Sequence, residues 1–211
     1  MFTGLVQGRM PIVAIDSGPD FLSLTIEMEP FLMEGLKTGA SVAINGVCLT
    51  VTAFGNGQVS FDVIRETLRV TNLADVRTGA LVNVERAARF SDEMGGHLLS
   101  GHIHDTVRVK EVIREPENTT ILFTAEPRWR DYLMPKGYVA LNGASLTLGE
   151  IVTHDEFRVH LIPETLRLTT FAAVEPGDKV NLEIDSQTQA IVDTVKRCFE
   201  EQGLVQRLLS E

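Results

Sequence analysis

Short apolar runs alternate with turn residues along most of the chain. Runs of about four to eight residues rich in Val, Ile, Leu and Thr, bounded by Gly, Pro, Asn or Ser, are typical of β-strands. They predict strands at residues 10–16, 21–27, 41–45, 48–54, 58–64 and 81–85, and again at 106–113, 120–125, 138–142, 145–152, 156–161 and 179–185. Strands this short and evenly spaced favour small closed barrels, which leave no exposed sheet edge.

The two sets of strands belong to an internal repeat. The segment Asn45-Gly46-Val47-Cys48-Leu49-Thr50-Val51 recurs 97 residues later as Asn142-Gly143-Ala144-Ser145-Leu146-Thr147-Leu148, with four of the seven positions identical. Residues 61–85 recur as residues 159–183 with twelve of 25 positions identical. Solenoid units are only about 20–50 residues long, so this repeat indicates a duplicated domain. We expect domains at residues 1–97 and 98–186, with a linker at residues 90–96.

The character of the chain changes after Asp185. Residues 187–202 contain no Gly or Pro, and apolar side chains recur at helical spacing at Ile191, Val192, Val195, Cys198 and Phe199. This pattern predicts an amphipathic helix within a C-terminal segment of residues 187–211. The helix either packs against copies of itself in a symmetric oligomer or docks on its own barrel. The predicted fold class is all-β, with two homologous six-stranded barrels in tandem and a C-terminal α-helix.

Composition and charge narrow the function classes. The 211 residues are 44% hydrophobic and 23% charged, as in ordinary globular proteins. Nineteen Lys and Arg against 29 Asp and Glu give a net charge of −10, which argues against nucleic acid as a partner because phosphate backbones attract basic surfaces. Two cysteines cannot form a disulfide framework, and no apolar run reaches the roughly 18 residues of a membrane span. No signal peptide is visible, so we expect a cytoplasmic protein without membrane association.

Five motifs together resemble one enzyme family. They are Met1-Phe2-Thr3-Gly4, Asn45-Gly46-x-Cys48-Leu49-Thr50, Gly95-Gly96-His97-Leu98-x-Ser100-Gly101-His102, Ser145-Leu146-Thr147 and His160-Leu161-Ile162-Pro163-Glu164-Thr165. In this order, over essentially the whole chain, they resemble riboflavin synthase of the alpha-chain type, with its two lumazine-binding repeats. The resemblance implies Greek-key barrels and a homotrimer with bundled C-terminal helices. It also implies an active site between the first barrel of one subunit and the second barrel of a neighbour.

The same resemblance implies a reaction. Family members dismutate two molecules of 6,7-dimethyl-8-ribityllumazine by moving a four-carbon unit, which yields riboflavin and 5-amino-6-(ribitylamino)uracil in the last step of riboflavin biosynthesis. The resemblance implies no metal and no other cofactor. It leaves open which barrel holds the donor and whether lumazine synthase associates with the chain. The alternative function is that of a non-catalytic lumazine- or flavin-binding protein, but the presence of Cys48, His102 and Asp185 in two intact repeats favours the enzyme.

Two sets of site residues follow from the resemblance. The predicted catalytic residues are Cys48, Asp185, His102 and Ser41. The predicted substrate-binding residues are Gly4, Leu5, Val6, Cys48, Leu49, Thr50, Asp62, Val63, Ile64, Arg65, Glu66, Thr67, Gly101, His102, Ile103, Lys136, Ser145, Leu146, Thr147, His160, Leu161, Ile162, Pro163, Glu164 and Thr165. Of these, Lys136 is expected to reach the heterocycle from a neighbouring subunit.

Alignment of the two repeats separates shared positions from divergent ones. The shared positions carry small, hydroxylated or apolar residues, which suit a flat heterocycle and a ribityl chain; they are Gly4/Gly101, Thr50/Thr147, Ile64/Ile162 and Thr67/Thr165. The divergent positions carry the ionisable groups; they are Leu5/His102, Ser41/Tyr138, Cys48/Ser145, Asp62/His160, Arg65/Pro163 and Ala87/Asp185. Two identical substrates that undergo different chemistry need unlike surroundings, so we interpret the divergent positions as the acid–base positions.

Several of these residues also have a purely structural interpretation. Outside its motif, Cys48 is typical of a buried, inert cysteine, and Asp185 is typical of a carboxylate at a helix N-terminus. Lys136 alone would be a solvated loop lysine. We expect the two shared glutamates to pair with nearby arginines and to frame the pockets; these pairs are Glu66 with Arg69 and Glu164 with Arg167.

The histidines near the linker allow a metal site as a second interpretation. His102 and His104 lie two residues apart, with His97 close by. Two or three histidines alone are a weak indication of a zinc site, which usually adds thiolate or carboxylate ligands at a characteristic spacing. Acid–base chemistry by the imidazole of His102 is therefore the favoured interpretation.

Overall fold

The computed structural model describes residues 1–18, 21–90 and 92–201, with residues 200 and 201 described in their backbone alone. Within these residues the chain forms twelve strands and four α-helices. The strands are β1 (Gly8–Ser17), β2 (Phe21–Glu27), β3 (Ser41–Ile44), β4 (Val47–Gly55), β5 (Gln58–Ile64), β6 (Leu81–Arg86), β7 (Asp105–Arg114), β8 (Thr119–Thr124), β9 (Tyr138–Leu141), β10 (Ala144–Ile151), β11 (Glu156–Leu161) and β12 (Lys179–Ile184). The helices are α1 (Pro30–Met33), α2 (Arg65–Val70), α3 (Pro163–Leu168) and α4 (Ser186–Glu201).

The strands close into two antiparallel barrels of the same topology. The first barrel has the order β1-β2-β5-β4-β3-β6, and the second has the equivalent order when β7 to β12 are counted in the same way. Because β2 pairs with β5 and β6 with β3, each barrel is a Greek key. The predicted fold class is confirmed, and every predicted strand lies within two residues of an observed one at each end.

Each barrel buries its own core through strict alternation along the strands. In β5, for example, Val59, Phe61 and Val63 point inward and are fully buried, whereas the residues between them face outward. The two main clusters of buried side chains fill the two barrel interiors separately. The outer faces of the strands are therefore free to carry site residues.

The short helices were not predicted, and each repeat places one where its fifth strand ends. Helix α2 follows β5 directly, and α3 follows β11 after a single residue. A 3-10 turn follows each, and the hydroxyls of Thr71 and Thr169 accept hydrogen bonds from the amides of Leu73 and Phe171. Six residues are too few for a helical period to stand out in the sequence, which is why the strand pattern alone was visible.

The barrels meet around a pseudo-twofold axis. A small apolar cluster of Phe2, Ala43, Leu99 and Ala140 lies between them. Asparagines at equivalent positions bond across the interface; Asn83 Nδ2 donates to the Asn142 carbonyl at 2.8 Å and Asn181 Nδ2 donates to the Asn45 carbonyl at 2.9 Å. These buried, mutually satisfied amides fix the two barrels relative to each other.

The C-terminal helix α4 docks on the second barrel by its polar side. The hydroxyl of Tyr132 donates to Asp193 at 2.5 Å, and Lys196 forms an ion pair with Asp131 at 2.9 Å. The apolar side chains Ile191, Val195 and Phe199 remain exposed on this helix. Within the described part of the chain, no helix combines the length and apolar character that crossing a membrane requires.

Candidate active site

Two short segments that precede the barrels bring some of the predicted site residues together. We call residues 3–6, before β1, the first arm, and residues 100–103, before β7, the second arm. Next to them, Phe2 and Leu99 exchange two backbone hydrogen bonds of 2.9 Å. Beyond this bridge each arm crosses to the other barrel. The amide of Ser145 in β10 donates to the Gly4 carbonyl, and the amide of Cys48 in β4 donates to the Gly101 carbonyl, both at 2.9 Å.

Glycine is required at the crossing point of each arm. Gly4 and Gly101 have φ values of 75° and 79°, in the left-handed region. A Cβ on Gly4 would lie 2.5 Å from the Cβ of Ser145, and a Cβ on Gly101 would lie 2.6 Å from the Cβ of Cys48. The close approach places the first arm directly over Ser145 and the second arm directly over Cys48.

The first pocket is a cavity of about 250 Å³ on the first barrel. It brings together predicted residues from three separate stretches of sequence; they are Cys48, Glu66, Thr67, Gly101, His102 and Ile103. The second arm therefore completes a pocket of the first barrel, although it belongs to the second repeat. The side chain of Ile103 packs against the first core, and that of Val6 packs into the second core.

The second pocket is the equivalent surface of the second barrel, where Gly4 lies against Ser145. Its polar centre contains a residue that sequence reasoning did not assign to it. His97 is only 8% exposed, its Nδ1 lies 2.6 Å from Ser145 Oγ, and its ring stacks on Tyr138 with centroids 4.9 Å apart. Among the described residues, its Nε2 has no hydrogen-bond partner. The signal was its place in the linker motif beside Gly95 and Gly96, but its partner Ser145 is 48 residues away.

The environment of His97 favours the neutral form of the imidazole. Burial lowers the pKa of His97 below its ordinary value of 6.5, and the negative charge of Asp185 opposes this shift in part. A neutral imidazole with one free nitrogen, bonded to a hydroxyl, can accept or relay a proton.

This lowered pKa predicts acid sensitivity of the fold. Below pH 6.5 the unfolded chain binds a proton at residue 97 that the folded chain binds only at lower pH, so stability is lost as pH falls. We expect His97→Gln to reduce the fall in unfolding free energy between pH 7.5 and 5.5, measured by urea denaturation. His154→Gln, at an exposed histidine, is the control and should leave the fall unchanged. An identical pH dependence in wild type and His97→Gln would contradict the assignment.

The two pockets differ in chemical character at Cys48 and at its equivalent, Ser145. Cys48 and Ala87 pack against the apolar cluster that contains Phe2. At the equivalent positions, Ser145 bonds His97, and Asp185 lies close enough to influence the pKa of His97. The first pocket thus presents a thiol that packs on the apolar cluster, with His102 and Glu66 lining the same cavity, and the second presents a hydroxyl bonded to an imidazole, with a carboxylate nearby.

Asp185 has a clear structural role in addition. Its Oδ2 accepts hydrogen bonds of 2.8 Å from both the amide and the hydroxyl of Thr188, so it caps the N-terminus of α4. Ser41 lies half-buried on β3, opposite Thr50 of β4. Neither residue lines the first cavity.

The remaining predicted residues fall into two groups, those with side chains buried in a barrel core and those with side chains on the surface. The side chains that point into the barrel cores can reach a ligand only through their main-chain atoms; they are Val6, Leu49, Val63, Leu146 and Leu161. The side chains that point outward are exposed; they are Leu5, Thr50, Asp62, Ile64, Arg65, Thr147, His160, Ile162, Pro163 and Glu164. Ile64 and Ile162 are 61% and 62% exposed at equivalent positions, which is unusual for isoleucine and suits contact with a flat ring. Thr165, at the position equivalent to Thr67, is half-buried.

Outward polar residues make local partnerships that the repeats share. Glu66 pairs with Arg69 at 2.6 Å and Glu164 with Arg167 at 2.5 Å, as predicted. Asp62 accepts a hydrogen bond from Ser23 at 2.8 Å, and His160 lies 2.9 Å from the hydroxyl of Thr120.

Lys136 has a strained backbone where the first repeat has a glycine. Its φ is 67°, and its counterpart Gly39 has a φ of 86°. A lysine in the left-handed region is uncommon and costs about 1–2 kcal/mol relative to glycine. The side chain is exposed on the loop before β9.

The histidines do not form a metal site with their neighbours. Among residues 1–18, 21–90 and 92–201, no group of three His, Cys, Asp or Glu side chains is arranged to hold a metal ion. His104 instead bonds Gln189 of α4 at 3.0 Å and accepts a hydrogen bond from the amide of Ile184 at 3.2 Å.

Comparison with known proteins identifies the repeated unit. The lumazine binding domain family matches this chain twice, at residues 3–87 and 100–185. The solved structure of LumP complexed with riboflavin has a TM-score of 0.82 and 24% identity over 87% of this chain and 99% of that chain. LumP complexed with 6,7-dimethyl-8-(1'-D-ribityl) lumazine has a TM-score of 0.80 and 23% identity over the same shares. The fold and site therefore define a protein of two lumazine-binding domains.

The more similar sequences share one name. Riboflavin synthase of Escherichia coli (strain K12) is 52% identical over 93% of this chain and 92% of the relative. Riboflavin synthase of Chlamydia pneumoniae is 42% identical over 96% and 99%, and that of Bacillus subtilis (strain 168) is 35% identical over 88% and 85%. The chain belongs to the riboflavin synthase family, and it is an enzyme.

Proposed function

We propose that this chain catalyses the dismutation of two molecules of 6,7-dimethyl-8-ribityllumazine to riboflavin and 5-amino-6-(ribitylamino)uracil, as a transferase of a four-carbon unit. The observation that carries the proposal is the presence of unlike groups at equivalent positions of the two barrels, Cys48 in the cavity of the first and Ser145 bonded to His97 on the second. The two products together contain the atoms of the two substrates, so the reaction balances without an added oxidant or reductant.

The two substrates need different help. One lumazine loses a proton from its C7 methyl group, and the carbanion is delocalised into the ring. The other is attacked at C7 by a nucleophile, such as water or a thiol, and becomes the donor; carbon–carbon bond formation and elimination follow. Cys48 and the group of Ser145, His97 and Asp185 supply a thiol and a proton relay for these unlike tasks. Holding two rings in a reactive arrangement contributes up to about 7–11 kcal/mol in favourable cases.

The direct test is incubation of the purified protein with 6,7-dimethyl-8-ribityllumazine. We expect one riboflavin for every two lumazines consumed, followed by absorbance and fluorescence and by chromatography of both products. A stable complex in which lumazine persists unchanged would identify a non-catalytic binding protein instead.

Asp185 offers a test that separates catalysis from helix capping. Asparagine caps helices about as well as aspartate, whereas alanine costs about 1 kcal/mol. We therefore expect Asp185→Asn to keep the unfolding free energy and riboflavin affinity but to lower kcat by roughly 10²-fold or more, in the range of lost acid–base catalysis. Steady-state rates and a riboflavin titration check this. A full rate in Asp185→Asn with destabilisation confined to Asp185→Ala would leave capping as its only role.

The working assembly is proposed to be a homotrimer with α4 at its axis, in the cytoplasm. The exposed stripe of Ile191, Val195 and Phe199 supports a helix that packs against its copies. In this assembly Lys136 reaches the pocket of a neighbour. Sedimentation equilibrium should give three times the chain mass, and Ile191→Glu combined with Val195→Glu should give monomers. A wild-type monomer would overturn the proposal.

A further inference from the structure

Two buried glutamates hold the arms, and the proposed chemistry does not use them. Glu85 on β6 is 4% exposed, and Glu183 on β12 is 3% exposed. Glu85 Oε1 accepts hydrogen bonds from the amide of Thr3 at 2.7 Å and its hydroxyl at 2.9 Å, and Oε2 accepts one from the amide of Gly4 at 3.1 Å. Each carboxylate thus grips the arm of its own repeat.

The second repeat reproduces the arrangement. Glu183 Oε1 accepts hydrogen bonds from the amide of Ser100 at 2.7 Å and its hydroxyl at 2.8 Å, and both carboxylate oxygens lie 3.2 Å from the amide nitrogen of Gly101. Charge-assisted hydrogen bonds to a buried carboxylate are among the stronger ones in proteins. Such bonds suit a residue whose task is to fix a short segment that has no strand partners of its own.

The far side of each arm lies on the opposite barrel. Each glutamate therefore acts, through its arm, on the barrel to which it does not belong. The arm held by Glu183 places the Gly101 carbonyl on the amide of Cys48, and the arm held by Glu85 places the Gly4 carbonyl on the amide of Ser145. We infer that Glu85 and Glu183 are positioning residues, each of which sets the pocket of the barrel it does not belong to. The inference rests on the proposed function only in treating the two clefts as substrate pockets.

Each glutamate also lies close to the pocket of its own barrel, so proximity alone would predict an effect on that pocket instead. In the first barrel Ala43 pairs with Glu85 on one side and with Cys48 on the other, so Glu85 is two strands away from Cys48 in the same sheet. Glu183 stands in the same relation to Ser145 through Ala140. A merely structural role would make each glutamate act first on the pocket of its own barrel.

Glutamine at these positions removes charge and turns an acceptor into a donor. All the groups from the arm that face the carboxylate donate hydrogen bonds, so one amide nitrogen of the glutamine would meet an N–H or O–H group. Burial raises the pKa of Glu85, while the donors of Thr3 and Gly4 oppose the rise, as expected for a carboxylate that these donors must stabilise. The arm should therefore open more often in Glu85→Gln and Glu183→Gln without loss of the barrels.

Hydrogen exchange followed by mass spectrometry on the full chain, without substrate, tests the inference. We expect Glu183→Gln to speed exchange at the amide of Cys48 by about tenfold or more, as a lost charge-assisted hydrogen bond implies, and to leave the amide of Ser145 unchanged. Glu85→Gln should show the reverse pattern. In a Cys198→Ser background, alkylation of Cys48 by iodoacetamide should also accelerate in Glu183→Gln and not in Glu85→Gln.

Each other outcome would overturn the inference. Faster exchange in the glutamate's own barrel would show local disruption, and no change in either variant would show that the arms do not depend on the carboxylates. If a glutamine variant fails to fold, Thr3→Val and Ser100→Ala offer a milder test, because each removes one hydroxyl donor to a glutamate. They should show the same crossed pattern with a smaller change in exchange rate. Because no turnover is measured, failure here is distinguishable from failure of the proposed reaction.

Discussion

Replacing Gly101 with alanine is expected to inactivate the enzyme by disrupting a pocket in the other repeat. The new methyl group would lie 2.6 Å from the Cβ of Cys48 and 2.9 Å from its amide nitrogen, and the backbone would be held at a φ of 79°. The arm must move away, and the Gly101 carbonyl loses its bond to Cys48. We expect kcat to fall at least about 10²-fold and the unfolding free energy to fall by roughly 2–5 kcal/mol, the sum of backbone strain and overpacking.

Gly39→Ala is the matched control for this substitution. Gly39 has a φ of 86°, but nothing lies within 4 Å of a Cβ placed on it. Its counterpart Lys136 shows that the fold accepts a side chain at this backbone position. Gly39→Ala should therefore cost only the strain of about 1–2 kcal/mol and keep its rate. Steady-state kinetics with urea denaturation measure both, and equal activity losses in the two variants would contradict the role of the arm.

Replacing Cys48 with serine is expected to separate turnover from binding. Serine keeps the size and the hydrogen-bonded amide of residue 48, so the second arm should stay in place. A hydroxyl is far less nucleophilic than a thiol. We expect kcat to fall by roughly 10²-fold, a typical loss for a chemical group in the site, while riboflavin affinity changes little.

The second cysteine of the chain supplies the control for Cys48. Cys198 is exposed on α4 and far from either arm in sequence. Cys198→Ser should leave both rate and affinity as in the wild type. A loss confined to affinity in Cys48→Ser, with turnover intact, would remove Cys48 from the catalytic residues.

The barrels could be predicted from the sequence because their physics is local along the chain. Inward and outward residues alternate within one strand, as in Val59, Phe61 and Val63, so the pattern is visible without knowledge of any partner. The repeat strengthened the prediction, because the same pattern of strands occurs at equivalent positions in both halves of the chain. Helices α2 and α3 were missed because six residues carry too little periodicity.

The site could be predicted only in part, because its decisive contacts join distant segments. The repeats pair Gly4 with Gly101, but nothing in that pairing says that each arm lies on the other barrel. His97 was assigned no pocket because its contacts, Ser145 and Tyr138, are in the second repeat and lie on two different strands. Alignment of the two repeats shows which residues are equivalent. It does not show which residues are in contact, because those contacts depend on the path of the chain after the linker.

The exchange of arms has a consequence for how this chain can change over generations. A mutation at residue 4 or 101 is tested by the half that did not mutate, because Ser145 or Cys48 must still accept it. Neither repeat carries the arm that covers its own pocket. A separate copy of one repeat could therefore complete its pocket only with the arm of another copy. Covalent linkage of the two repeats makes these contacts intramolecular. Each repeat can then diverge in chemistry, while the contacts with the other repeat limit how it changes.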